Sequence, residues 1–237
     1  MAVLLLLAIC AASTVVGVIG MLLVGLAFGL RPTRVSLFAG TRSLYSRRIG
    51  GTTLRVGAFP WLSSLEYGQS PEAIALSPED YPEDDLPHEE LVRRYEEFVA
   101  RPLPVQAAVP LGGPLLLLIL AGVVLGPHRL GECLGRGFAQ LVRGGVSPFA
   151  VGAPLMRGAL ELLRGVPLTG AAVVLAKLAA WSLLPLPGTA GGNALLLGLF
   201  GWRGAAARPY VQWIGTLVVL ALALGWALAL GRALLAG

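Results

Sequence analysis

Between Ala2 and Leu30 the chain carries no charged side chain. A soluble surface helix needs a polar face, and this run exceeds the roughly 20 apolar residues that cross a bilayer. Composition agrees: 56% of the 237 residues are hydrophobic and 13% are charged, which is the profile of an integral membrane protein. Further apolar stretches lie at residues 103–126, 166–200 and 211–231. The expectation is an α-helical integral membrane protein, a single domain over 1–237 with four transmembrane helices. A secretory leader competes for the N-terminus. It would need a basic opening, and the apolar run continues past any cleavage site to Leu30, so a retained span is expected.

The third stretch contains LLPLPGTAGGN at 183–193, with a break expected at 185–192. Pro185 and Pro187 remove two backbone donors and free upstream carbonyls. Backbone of that kind survives at membrane depth only where protein or a wet cavity satisfies it. Asn193, Ser182 or a neighbouring hairpin are the expected partners. Lys177 in the same stretch is the one ionisable group in the apolar spans, functional by default or snorkelling to an interface. Two small-residue pairs, Gly25 with Gly29 and Gly122 with Gly126, have the spacing that lets helices approach closely.

Arginine sets the orientation. Residues 31–55 hold six arginines and no acid, which places the 31–101 loop in the cytoplasm and both termini outside. Residues 127–165 carry five more, and their amphipathic pattern is expected to keep them at the interface. No aromatic platform accompanies the net charge of +5, so anionic lipid headgroups rather than nucleic acid are the expected partners of these arginines. Cys10 and Cys133 lack CxxC spacing and read as small buried residues. High Ala, Gly, Leu and Arg with one Lys suggests a GC-rich bacterial genome, hence a bacterial inner membrane.

Between the first two spans, residues 35–67 alternate apolar and polar side chains around Gly50-Gly51. This predicts two or three short strands in a membrane-associated β-hairpin. Apolar Leu54, Val56, Ala58 and Phe59, then Trp61, predict that it dips toward the bilayer. An acidic, proline-punctuated segment over 70–101 follows, becoming a short helix from His88 to Val99 with a solvated, charge-alternating face.

The order of these parts resembles the site-2 protease family of intramembrane zinc metalloproteases. FGLRPTRVSLFAG (28–40) is similar to the segment after the family's zinc-binding helix. IGGTTLRVGAFPW (49–61) resembles its membrane-dipping hairpin, and PVQAAVPLGGPLLLLILAG (104–122) its second span. LLPLPGTAGGN resembles the third-span motif L-P-I-P-x-L-D-G-G-H. The family's H-E-x-x-H falls on residues 17–21, which read GVIGM. Gly17 and Met21 stand where the resemblance implies zinc-binding histidines, and Val18 where it implies the water-activating glutamate; Gly20 alone is kept. The third ligand, an aspartate, falls on Ala190.

A catalytic zinc needs three protein ligands and a water, with a base beside it. None of those side chains stands at the matched positions, so no catalytic residue, metal site or cofactor is expected. About forty residues separate the second and third spans, too few for the PDZ domain the family commonly carries there. His128, Glu132 and Cys133 offer a residual metal site, set against a plain interfacial helix. The resemblance thus implies a catalytically inactive, protease-shaped protein that binds or scaffolds another membrane protein or transmembrane segment. The expected binding residues are Gly51, Thr52, Thr53, Leu54, Arg55 and Val56, as an edge strand adding an extended segment, with Pro185, Pro187 and Asn193 at the break. The alternatives are an active intramembrane metalloprotease with a non-standard metal site, and a small transporter using the broken helix.

Overall fold

The computed structural model describes residues 1–38, 44–58, 63–68, 87–206 and 209–235. Phe59, Trp61 and the acidic stretch 70–86 lie outside the described residues. Helix α1 (Ala2–Ala27) follows the charge-free run. It stops where Gly29 takes φ +72 and closes a Schellman cap: Gly29 N–H donates to Leu26 O and Leu30 N–H to Gly25 O, both at 2.9 Å. Gly29 is therefore a helix terminator, not half of a helix-pairing motif.

Four strands follow: β1 (Arg34–Leu37), β2 (Tyr45–Ile49), β3 (Thr52–Val56) and β4 (Ser64–Glu66), in the sheet order β2-β3-β1-β4. Gly50 and Gly51, at φ 56 and 83, make the two-residue hairpin turn whose primed geometry only glycine enters freely. β3 also pairs with β1 in parallel, Thr53 N–H donating to Thr33 O at 2.8 Å. Thr33 and Thr53 are buried at the centre of this sheet. β4 runs beside α1: Ser63 Oγ donates to Thr14 O, half-way along the helix, while Tyr67 packs on Gly25 near its end.

Helix α2 (His88–Val99) buries Leu91 and Phe98 and turns its acids outward. Its half-buried Arg94 clamps it to the sheet, donating to Pro32 O at 3.2 Å and to Glu90 Oε1 at 2.8 Å. Hydrogen bonds from Arg93, then from Arg94, hold the Glu90 carboxyl below its ordinary pKa. A carboxyl depressed in the folded state stabilises above the unfolded value near 4.3 and loses that contribution as pH falls through the lower folded value. The protection factors of α2 amides, with the intrinsic pH dependence of exchange divided out, should therefore stay flat from neutral pH to about 5 and fall below about 4; Glu90→Gln should remove most of this acid step.

Helix α3 (Leu103–Val146) is bent at Gly126, which has φ 75 and ψ 162. The bend is sharp. A Cβ on Gly122 would lie 3.2 Å from Leu130 Cδ2, whereas eight residues along a straight helix are about 12 Å apart. Residues 103–125 thus form the apolar helix the sequence predicts, and Gly126 is its hinge rather than a packing residue. After a π-turn (Pro148–Gly152) come α4 (Ala153–Gly165), α5 (Pro167–Ser182), α6 (Ala190–Ala206) and α7 (Pro209–Leu235).

Residues 127–146 pack into the helical bundle. Gly137 packs on Ala180 of α5, and Trp226 Nε1 of α7 donates to Leu141 O at 2.9 Å. Lys177 donates its ammonium hydrogen to Gln140 Oε1, so it is paired within the bundle. Glycine at Gly137, Gly144 and Gly145 lets this helix reach neighbours that its arginine content hid.

Among the described residues, three helices are long and apolar enough to cross a membrane: Ala2–Ala27, Leu103–Val146 and Trp213–Leu235. The architecture is that of a helical membrane protein with a small sheet. The third expected span is two shorter apolar helices, Pro167–Ser182 and Ala190–Gly201, separated by the proline break.

Candidate functional site

The break explains itself residue by residue. Thr189 is buried, and its hydroxyl lies against two carbonyls left beyond the end of α5, Leu184 O and Leu186 O, the latter at 2.8 Å. The same oxygen accepts from Gly192 N–H at 3.2 Å, which makes Thr189 the N-cap of α6. Asn193 Oδ1 accepts a long bond of 3.4 Å from Gly188 N–H. Ser182 takes no part, because its hydroxyl donates to Leu178 O within α5. Thr189 is the residue sequence reasoning missed; a threonine just before a renewed helix was the signal for it.

Glycines let the loop fold on itself. A Cβ on Gly191 would stand 2.3 Å from Leu183 O, and one on Gly192 1.9 Å from Leu186 O. Pro187 in turn packs on Gly215 of α7, and Gly188 on Thr216. The broken segment is thereby locked against the last helix.

This break borders a cavity of about 430 Å³, lined by Met21 of α1, Leu65 of β4, Tyr67, Gly188, Asn193 and Leu197. Ser63, Ser64 and Thr216 add hydroxyls, and α3 closes it with Val109 and Pro110. Tyr67, another residue missed from sequence, stacks on Phe98 with ring centroids 5.2 Å apart. Its Oη occupies the space a side chain on Gly25 would fill, and burial raises the phenol pKa. The cavity carries hydroxyls, an amide and apolar walls, and no ionisable acid or base other than tyrosine lines it among the described residues.

The positions matched to the family's chemistry separate here. Met21 lines the cavity; the backbone of Gly17 lies against Gly113 of α3 while a Cβ on it would meet nothing within 4 Å, Val18 is buried, and Ala190 opens α6. Those side chains do not fit a zinc ion, and among the described residues no three His, Cys, Asp or Glu side chains converge to hold one. His128 and Glu132 lie 3.9 Å apart on an exposed helix face, while Cys133 packs inward near Leu125 and Ala172.

The expected binding edge needs correction. Residues Thr52–Val56 are not an edge, because β3 is hydrogen-bonded to β2 on one side and β1 on the other. The outer edges are β2, on the far side of the sheet, and β4, whose Ser64 and Leu65 line the cavity. Of the other expected residues, Asn193 reaches the cavity, Pro187 packs on Gly215, and Pro185 is exposed. No family model, curated protein or solved structure matches the chain.

Proposed function

We propose that this chain is a catalytically inactive, site-2-protease-like membrane protein that holds an extended or unwound segment of another membrane protein. The observation that carries this reading is that Met21, Ser64 and Leu65 of the edge strand β4, and the broken α5–α6 segment border one cavity. A strand added to β4 gains main-chain hydrogen bonds that need no metal, and the hydroxyls of Ser63, Ser64 and Thr216 suit backbone left unpaired by unwinding. In this reading α5 and α6 together make one crossing, so the chain crosses four times. The arginines of 31–55 hold the sheet at the cytoplasmic side of a bacterial inner membrane, and both termini lie outside.

Photocrosslinking tests it. A benzophenone amino acid at Leu65 should capture a membrane protein in native membranes, while the same group at Leu54, on the interior strand, should not. Stoichiometric zinc in the purified protein, or chelator-sensitive cleavage of single-span substrates, would overturn the inactive reading. Equal capture at both positions would overturn the cavity as the binding site.

A further inference from the structure

The two faces of the sheet differ in chemistry. Side chains alternate along each strand, and directly paired residues project to the same side. Arg34 pairs with Thr53 and Glu66, Arg48 with Thr53, and Ser46 with Arg55, so these six residues share one face. Val35, Ile49, Leu54 and Val56 alternate onto the other. Thr53 stands at the middle of the polar face, between Arg34 of β1 and Arg48 of β2. It is 1% exposed, and its Oγ1 has no hydrogen-bond partner among the described residues. The buried Oγ of Ser46, opposite Arg55, has none either. Buried hydroxyls nearly always have a partner, and two exceptions on one face call for an explanation.

Charge says what they suit. The carboxylate on this face is already engaged, because Arg34 Nη1 holds Glu66 Oε2 at 3.4 Å toward β4. Toward β2 the face is cationic, with exposed Arg48 and half-buried Arg55 beside the two hydroxyls. Hydroxyls and guanidiniums together present donors, and an oxyanion is what accepts from both. A phosphate group offers such a set more oxygens than a carboxylate does, and guanidinium forks match its geometry.

We propose that the polar face of the sheet binds a phosphate group, with Arg48 and Arg55 neutralising its charge and the hydroxyls of Thr53 and Ser46 donating to its oxygens. A lipid headgroup and a free phosphate present the same chemistry. Diffuse attraction of arginines to anionic lipid needs charge alone; this site needs particular hydroxyls on one face. Arg47 separates the two cases. It is as exposed a neighbour as Arg48, one residue away, but it pairs with Leu54 and so stands on the opposite face. The site is distinct from the cavity, whose lining takes only Ser64 and Leu65 from the strands, and it does not rest on the protease-like reading.

The test titrates the full chain, in an uncharged detergent, with inorganic phosphate and separately with dihexanoyl phosphatidic acid, read by calorimetry. Saturable binding is expected; tighter binding of the lipid assigns a headgroup, and inorganic phosphate binding as tightly assigns a free phosphate. Arg48→Gln and Thr53→Val should each weaken binding about tenfold, whereas Arg47→Gln should change it by no more than about twofold. Thr53→Val keeps the β-branched shape and removes a buried hydroxyl without a partner. In phosphate-free detergent that variant should therefore melt no lower than the unaltered chain, which separates lost binding from lost fold. Equal losses from Arg47→Gln and Arg48→Gln would reduce the effect to diffuse charge and overturn the proposal. So would unchanged binding by Thr53→Val, a lower melting point for that variant, or failure of both probes to bind.

Discussion

Gly192→Ala is expected to cost about 3 kcal/mol or more in unfolding free energy. Its new Cβ would stand 1.9 Å from Leu186 O, 2.2 Å from the carbonyl carbon and 2.7 Å from Pro187 N. All three are backbone atoms, so no rotamer change relieves the overlap. Nor can the backbone easily move: the Thr189 hydroxyl fixes the carbonyls of Leu184 and Leu186, and Pro187 is wedged against Gly215. A loss of that size is a large share of the 5–15 kcal/mol typical of a folded domain. Reversible unfolding in mild detergent measures it, with Gly158→Ala as the control because a Cβ there meets nothing within 4 Å. The same variant should lower crosslinking from position 193, since the break carries Gly188 and Asn193 to the cavity wall. Tolerance within about 0.5 kcal/mol would mean that the break is not held by these contacts.

Features encoded by short, stereochemically forced signals were legible in the sequence. Gly50-Gly51 demanded a primed turn, the Pro185–Pro187 pair demanded a broken helix, and the period from His88 to Val99 gave α2. Pairings between distant segments were not legible. Placing β3 inside the sheet depends on a parallel match with β1, Arg34 opposite Thr53, which no local pattern encodes. That long-range pairing is what turned the expected edge strand into an interior one. The insertion of 127–146 was hidden for another reason. Its arginines lie on the exposed side, whereas the contacts to α5 and α7 run through Gly137, Gly144 and Gly145, which carry no hydrophobic signal. Small-residue spacing misled in the opposite sense: Gly29 and Gly126 have positive φ and end or bend helices, and Gly25 makes room for Tyr67.

Glycine also sets a close crossing between α1 and α3, and Gly20→Ala there should cost about 3 kcal/mol. An added Cβ would fall 2.2 Å from Gly112 O, 2.7 Å from Gly112 C and 3.0 Å from Gly113 Cα; on Gly112 it would fall 2.4 Å from Gly20 O. The two backbones touch, so either substitution must push the helices apart along their length. One displacement serves both, and the double variant should therefore lose clearly less than the sum of the single losses. Gly17→Ala is the sharp control: three residues away on the same helix, it gains a Cβ that meets nothing within 4 Å and should change stability by no more than about 0.5 kcal/mol. Thermal and denaturant unfolding of the four variants and the unaltered chain in one detergent decides the matter, and equal effects at Gly17 and Gly20 would remove the crossing as the cause. Gly20 thus serves the approach of α1 to α3, and that approach sets Met21 across the cavity from Val109 and Pro110.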